Sequence, residues 1–175
     1  MTEPNEKLIH VLLVDDHAVV RKGMRALLDR EPGIEVVGEA DNGDQAAHAA
    51  ERLRPDVILM DLEMPGTGGI DATRQITAQH HDMRIVVLTS HAAEEDVFPA
   101  LKAGAQGYLL KHSAPEEVLQ AIRQAHPRRD GFAPRDRAHG TPGIEPASTA
   151  KAGENLRTAV RARDGGLAVI GARDE

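Results

Sequence analysis

The chain of 175 residues contains no cysteine and no long apolar run. The lack of cysteine excludes disulfide bonds and thiolate metal sites, and it fits a reducing cytoplasm. No apolar stretch approaches the roughly 18 residues that a membrane span needs. The first seven residues are polar and acidic, which is not the pattern of a signal peptide. We therefore expect a cytoplasmic protein that makes no membrane contact.

Basic charge is also scarce, and it is unevenly distributed. The formal net charge of −7 argues against nucleic-acid binding by the chain as a whole. Residues 1–126 hold 12 Lys/Arg against 21 Asp/Glu, whereas 127–175 hold 9 against 7. The nine histidines are scattered, and a histidine metal site is not expected. The acidic part is expected to bind a cation or to meet a basic partner.

Apolar runs that alternate with amphipathic segments organise the first two thirds of the chain. The helical segments follow the strands, and the last of them is predicted to begin with a capping box at Ser113 and Glu116. Strands are predicted at residues 8–14, 34–40, 57–61, 84–89 and 107–111. Strict alternation of strand and helix predicts a parallel sheet that helices cover on both faces.

These patterns divide the chain into three parts. A polar extension, 1–7, precedes one domain, 8–126, and a tail, 127–175, follows it. The tail is rich in Pro, Gly, Arg, Asp and Ala, which predicts a linker or little order. Within it, residues 155–163 could form a short polar helix, and residues 166–170 contain a brief apolar run.

The third predicted strand, Val57–Asp61, runs directly into an aspartate and then into a turn rich in Pro and Gly. One interpretation is that Asp61 only caps this turn. The other is that Asp61 lies at the carboxyl edge of an open sheet, where such sheets bind their ligands.

Four further polar residues follow other predicted strands. Each has a simple structural explanation, as a helix cap, a strand end or a solvated cation, but in a parallel sheet all would lie at one edge with Asp61. Grouped carboxylates repel each other unless a cation lies among them, and a donor set made of oxygen suits Mg²⁺. A carboxylate, a hard cation, a lysine and a hydroxyl meet the needs of phosphoryl transfer. The four residues are Asp15, Asp16, Thr89 and Lys111.

On these motifs, residues 8–125 resemble the receiver domain of two-component response regulators. The matching motifs are Asp15-Asp16, Asp61-Leu-Glu-Met-Pro, Thr89 and Gly107-Tyr-Leu-Leu-Lys111. The resemblance implies an α/β, flavodoxin-like (CheY-like) fold: a doubly wound five-stranded parallel sheet of order 2-1-3-4-5 with helices on both faces. The amino-acid sequences of residues 11–21 and 103–112 resemble the NarL/FixJ (LuxR-type) branch in particular.

The resemblance also assigns roles around the acceptor. It implies that Asp61 accepts a phosphoryl group from a histidine kinase. It implies Mg²⁺ (or Mn²⁺) on Asp16, Asp61 and the backbone carbonyl of Glu63, with Asp15 acting through water.

The remaining roles that the resemblance implies concern phosphoryl binding and switching. Thr89 and Lys111 would hold the phosphoryl oxygens, and the switch aromatic Tyr108 would turn inward when Thr89 moves toward the phosphoryl group. Glu63 and His91 occupy positions that tune the lifetime of the phosphoryl group. A half-exposed residue on an edge strand is the alternative for Tyr108.

Members of this branch usually carry a helix-turn-helix after a linker and regulate transcription. Residues 127–175 contain no recognisable module of this kind, so we expect it to be missing or degenerate and do not expect this chain itself to bind DNA. One hypothesis is that the tail is a truncated or frame-shifted remnant. A switched protein-interaction or dimerisation surface, and with it a homodimer, is expected.

Two alternatives differ in class from a transcription-controlling receiver. The first is a stand-alone or truncated receiver that acts only through protein contacts, with or without phosphorylation. The second is a haloacid-dehalogenase-like phosphatase, but that family carries an Asp-x-Asp pair after its first strand, where this chain has adjacent Asp15-Asp16. The leading expectation is a signalling domain rather than an enzyme.

Overall fold

The computed structural model describes residues 8–90 and 94–126, together with the segments Thr158–Arg161 and Leu167–Val169. Five parallel strands form the centre of the sheet in the order β2-β1-β3-β4-β5, which confirms the predicted topology. Their bounds are β1 Ile9–Val14, β2 Ile34–Ala40, β3 Val57–Asp61, β4 Arg84–Thr89 and β5 Gly107–Leu110.

Five helices alternate with these strands and cover both faces of the sheet. One face carries α1 and α5, and the other carries α2, α3 and α4. No helix in the described part of the chain is both long and apolar enough to cross a bilayer. The helix bounds are α1 Ala18–Leu28, α2 Gly43–Leu53, α3 Gly69–Gln79, α4 Glu94–Lys102 and α5 Pro115–Ala125.

Strand β3 is buried along its whole length because hydrophobic clusters lie on both of its faces. Ile58 and Met60 pack with residues of α2, α3 and α4, whereas Val57 and Leu59 pack with residues of α1 and α5. Burying each of these large side chains contributes about 1.5–3 kcal/mol. A continuous apolar run is what a strand covered on both faces requires, and this rigid strand carries Asp61 at its end.

The predicted capping box of the last helix is wrong by one residue. Helix α5 is capped by Ala114, whose N–H donates to Oε2 of Glu117 at 3.2 Å. Pro115 explains the shift, because its ring forces the preceding residue into an extended conformation and is tolerated in the first helical turn. Ser113 and Glu116 therefore do not form the pair that their spacing predicted.

The sheet continues beyond β5 with two strands that sequence reasoning did not predict. Strand β6, Thr158–Arg161, pairs antiparallel with β5, and β7, Leu167–Val169, pairs antiparallel with β6. The short helix predicted over 155–163 is therefore wrong. An unpaired strand edge offers a row of free N–H and C=O groups, and this tertiary pairing outweighs weak local preferences. The rest of the predicted tail and the extension 1–7 lie outside the described residues.

Gly69, the first residue of α3, lies against the backbone of Asp61. A Cβ atom at this position would fall within the contact distance of the Asp61 carbonyl oxygen and lie 2.9 Å from the Asp61 carbonyl carbon. The first turn of α3 can approach the end of β3 this closely only because residue 69 has no side chain.

The substitution Gly69→Ala should lower the free energy of unfolding by about 1–3 kcal/mol, because backbone atoms must move to admit the methyl group. Gly23→Ala is the matched control, since a Cβ there meets nothing within 4 Å. It lies in the exposed middle of α1 and should instead raise stability by about 0.5–1 kcal/mol. Urea denaturation followed by circular dichroism measures both. Equal effects of the two substitutions would contradict the close approach.

Candidate functional site

Asp61 is fully buried at the carboxyl end of β3, and each of its carboxylate oxygens accepts a hydrogen bond. The N–H of Glu63 donates to Oδ1 at 3.0 Å, and Nζ of Lys111 donates to Oδ2 at 2.7 Å. The interpretation of Asp61 as a simple turn cap does not account for its ion pair with the partly buried Lys111, 50 positions further along the chain. The carboxylate is held in place by two elements that meet at the sheet edge.

The acid pair at the end of β1 lies beside Asp61. Asp15 is buried, with its Oδ2 3.0 Å from Nζ of Lys111, and the side chain of Asp16 is 28% exposed. Lys111 therefore bridges Asp15 and Asp61. The structure brings together four of the predicted residues, three carboxylates and one ammonium group, as the parallel topology predicts.

Burial and charge oppose each other at these groups. Burial raises the pKa of Asp61 above its ordinary value near 3.8; the Lys111 and Glu63 hydrogen bonds lower it, and the Asp15 charge raises it. Burial lowers the pKa of Lys111, but its contacts with the negatively charged carboxylates of Asp61 and Asp15 outweigh burial and hold the pKa above 10.5. Lys111 is therefore a permanent cation, whereas the ionised form of Asp61 is held at an energetic cost.

Thr89 and Tyr108 come from the two strands on the other side of Asp61. Thr89 is buried at the end of β4, and its carbonyl oxygen accepts a hydrogen bond from the N–H of Lys111 at 2.9 Å. Tyr108 is only 1% exposed and packs with the cluster under α2, α3 and α4. The half-exposed alternative for Tyr108 is therefore wrong. The switch role of both residues stays a prediction.

The hydroxyl of Tyr108 is buried and has no hydrogen-bond partner among the described residues. Burial also raises the pKa of this phenol above 10. A buried hydroxyl without a partner costs about 1–3 kcal/mol. The inward ring position is thus favourable for packing and unfavourable for the hydroxyl.

The two positions predicted to tune phosphoryl lifetime have different outcomes. The side chain of Glu63 is exposed two residues beyond Asp61, at the mouth of the site. His91 lies outside the described residues. The metal-binding role predicted for the Glu63 carbonyl and both tuning roles stay predictions.

The donor set fits a divalent cation. Ligand atoms of Asp15, Asp16, His17 and Asp61 all lie within 4.8 Å of one another. Among the described residues, Oδ2 of Asp15 and Oδ1 of Asp16 are buried and accept no hydrogen bond of good geometry. Each nevertheless lies near a nitrogen atom, Nζ of Lys111 for Asp15 and Nδ1 of His17 for Asp16. Carboxylate oxygens with spare lone pairs are what Mg²⁺ prefers in proteins.

An acidic hollow of about 550 Å³ opens beside Asp16. It lies between the loop that follows β2 and the loop that follows Asp61. Its carboxylates attract cations and repel free anions. Access from this side therefore suits a metal ion. The lining residues are Asp16, Asp41, Asn42, Asp44, Pro65, Gly66 and Thr67.

Sequence reasoning missed two residues that contact the acid pair. Nδ1 of His17 lies 3.2 Å from Oδ1 of Asp15 and 2.7 Å from Oδ1 of Asp16, and the guanidinium of Arg21 donates to the backbone oxygen of Asp15. The triplet Asp15-Asp16-His17 was a visible signal for the first contact. No sequence signal indicated the second, because Arg21 reaches back from the first turns of α1.

A buried strand-end aspartate, an acid pair and a lysine thus lie together at one edge of the five parallel strands, which is the arrangement that the sequence motifs predict for a receiver domain. Residues 11–123 match the response regulator receiver domain family. The chain belongs to this family, whose members are signalling domains and not classical enzymes, and which share the phospho-acceptor role. The match also rules out the haloacid-dehalogenase-like phosphatase.

Relatives of the NarL/LuxR type are similar to this chain over the same region. The transcriptional regulatory protein LiaR of Bacillus subtilis is 50% identical over 118 residues, which are 67% of this chain and 56% of LiaR. The nitrate/nitrite response regulator protein NarL of Escherichia coli is 46% identical over 69% of this chain and 56% of NarL. The chain therefore spans about half the length of the curated relatives it matches.

A solved structure supports the fold. The crystal structure of a LuxR-family two-component response regulator from Aurantimonas is 42% identical and superposes with a TM-score of 0.64. The match covers 67% of this chain and 84% of that one. The CheY-like arrangement of the receiver is thus common to the two chains.

The raised pKa of Asp61 gives a pH-dependent stability that can be measured. A carboxyl whose folded pKa is raised contributes stability below its unfolded pKa, near 3.8, and loses it as the pH rises through the folded value. In the absence of divalent ions, Asp61→Asn should therefore be more stable than the unchanged protein at pH 7. The gain should shrink steadily as the pH falls toward 4.

Urea titrations between pH 4.5 and 7.5 measure this difference. Lys111 keeps its Asp15 partner in the variant. The exposed Asp82 provides a control, since Asp82→Asn should change stability by less than about 0.5 kcal/mol at every pH. A variant Asp61→Asn that is less stable than the unchanged protein at pH 7 would show that the lysine contact outweighs burial.

Proposed function

We propose that Asp61 accepts a phosphoryl group from the phosphohistidine of a histidine kinase in a Mg²⁺-dependent reaction. The observation that carries the proposal is the buried Asp61 carboxylate with Nζ of Lys111 at 2.7 Å and the Asp15-Asp16 pair beside it. Receiver domains bind Mg²⁺ at an acidic pocket of this kind. Asp15, Asp16, Asp61 and the backbone carbonyl of Glu63 would hold the ion here, Asp15 through water.

Each residue of the site has its own role in the phosphoryl transfer. An Asp61 oxygen attacks phosphorus, a P–O bond forms, and the P–N bond to the kinase imidazole breaks as that imidazole takes up a proton. Lys111 already lies against Asp61 and neutralises charge on the phosphoryl oxygens, and the Thr89 hydroxyl donates to one of them. Bound Mg²⁺ supplies the additional positive charge that the three carboxylates and the incoming phosphoryl group require.

We propose that the acyl phosphate is read out through Thr89 and Tyr108. Thr89 ends β4, Tyr108 lies in the neighbouring β5, and the two strands are paired residue by residue. Movement of Thr89 toward a phosphoryl group would free space near the buried Tyr108 ring and alter the adjacent surface. Glu63 and His91 would set the lifetime of the phosphorylated state by controlling access of water.

Receiver domains interact with histidine kinases and often dimerise, and we propose both for this chain, in the cytoplasm that its cysteine-free composition fits. LiaR is a transcriptional regulatory protein and NarL is a response regulator, which supports transcription as the output. The five helices within 8–90 and 94–126 all pack on the sheet, so they do not supply a DNA-reading helix. Control through a partner protein, or protein contact alone, is the second candidate.

Incubation with Mg²⁺ and acetyl phosphate tests the acceptor. One phosphoryl group per chain should be incorporated, and Asp61→Asn should abolish it because the nucleophile is lost. Intact-protein mass spectrometry measures the 80 Da gain expected for a phosphoryl group. Asp82→Asn should label like the unchanged chain. Labelling of Asp61→Asn, or equal labelling with excess chelator, would refute the proposal.

The electrostatic role of Lys111 has its own test. Lys111→Met should slow the initial rate of labelling about 10²–10³-fold, the usual cost of removing one charge stabiliser from a transition state. Lys102→Met is the control, because Lys102 lies exposed in the last turn of α4. Circular dichroism verifies that both variants are folded. A loss of less than threefold in Lys111→Met would contradict the assigned role.

A further inference from the structure

His17 belongs to the cluster of acids although sequence reasoning gave it no role. Its Nδ1 lies 2.7 Å from Oδ1 of Asp16 and 3.2 Å from Oδ1 of Asp15. Nδ1 is also one of the four ligand atoms that lie within 4.8 Å of one another around Asp61. The cluster therefore contains one nitrogen donor among oxygen donors.

A backbone hydrogen bond holds residue 17 beside the acid pair. His17 is the N-cap of α1, and its N–H donates to Oδ1 of Asp15 at 2.7 Å. The side chain is 61% exposed, so its orientation depends on the contacts of Nδ1 with the two carboxylates and not on packing in the core. Because most of the side chain is at the surface, an ion that enters from solvent can approach the ring.

The distances suit a shared ion. Bonds of about 2.0–2.1 Å in octahedral geometry place neighbouring ligand atoms about 2.9 Å apart and opposite ones about 4.2 Å apart. The two separations of Nδ1 from the carboxylate oxygens lie near the first value. A small adjustment would bring Nδ1 of His17 and the carboxylate oxygens of Asp16 and Asp61 into one coordination shell, with Asp15 bound through water.

We propose that Nδ1 of His17 is a ligand of the divalent cation held by Asp15, Asp16 and Asp61, and that it makes the site prefer first-row transition ions over Mg²⁺. The inference rests on the proposed metal site. Imidazole nitrogen suits ions such as Co²⁺ and Ni²⁺, whereas Mg²⁺ takes oxygen donors. A mixed set of carboxylates and one imidazole is therefore selective in a way that the carboxylates alone are not.

The competing explanation is that His17 acts as a cation that neutralises the acid pair. Lys111 already performs that task for Asp15, at 3.0 Å, and for Asp61, at 2.7 Å, but its ion pairs in this part of the chain do not include Asp16, which lies 2.7 Å from Nδ1 of His17. The two explanations predict opposite effects of removing the ring. A ligand strengthens ion binding, whereas a competing cation weakens it.

Calorimetric titration of the full, untagged chain with Mg²⁺ and with Co²⁺ separates these cases. In His17→Gln, the Kd for Co²⁺ should rise about tenfold or more, while the Kd for Mg²⁺ should change less than about twofold. The expected size for Co²⁺ follows because mutating even a residue that only supports a metal ligand typically weakens metal binding about 10–100-fold. His10→Gln is the matched control, because His10 also lies near two carboxylates, 3.6 Å from Glu35 and 3.5 Å from Asp56. It should bind both ions like the unchanged chain.

A spectroscopic measurement identifies the ligand directly. The Co²⁺ form should show a strongly shifted, exchangeable imidazole N–H proton resonance that is present in His10→Gln and absent in His17→Gln. Unchanged Co²⁺ binding in His17→Gln would overturn the inference and leave the magnesium site intact. Tighter binding of both ions in that variant would assign His17 as a competing cation, and no binding of either ion by the unchanged chain would refute the metal site itself.

Discussion

The ammonium group of Lys111 lies between the carboxylates of Asp15 and Asp61, and this contact requires three strands to end at the same place. Its Nζ is 3.0 Å from Oδ2 of Asp15 and 2.7 Å from Oδ2 of Asp61. Strand β3 lies next to β1, and β4 separates it from β5. Because successive side chains on a strand point to opposite faces, a shift of one residue in any of these strands would disrupt the contact. The geometry of the site therefore depends on the exact register of these strands.

The same contact concentrates unfavourable charge. Three carboxylates meet one ammonium group, and burial raises the pKa of Asp61 despite that partner. A protein selected only for stability would place an apolar residue at the end of a strand as buried as β3. The remaining negative charge instead creates a demand for a cation, and a cation in turn favours an incoming phosphoryl group. The grouped carboxylates thus explain both the local loss of stability and the proposed phosphoryl chemistry.

Strand β5 connects this chemistry to the outer edge of the sheet. Lys111 follows its last residue, Tyr108 lies within it, and β6 pairs with its outer side. If Tyr108 moved and shifted the β5 backbone, β6 would shift with it, because the two strands are hydrogen-bonded. The edge that links the site to the rest of the chain is thus covered by a segment from residues 158–161.

Sequence by itself determined the order of elements, the five-stranded parallel core and the main members of the site. The apolar run ending at Asp61 and the polar residues after the other strands were enough, because the strand–helix alternation sends all strand ends to one edge. Only the tertiary structure decided which nitrogen meets which oxygen. The 2.7 Å contact of Lys111, the contacts of His17 and Arg21 with the acid pair and the burial of Tyr108 depend on side-chain directions and packing. The pairing of β6 with β5 was equally beyond sequence reasoning, since a strand edge is completed by a distant segment and not by any local pattern.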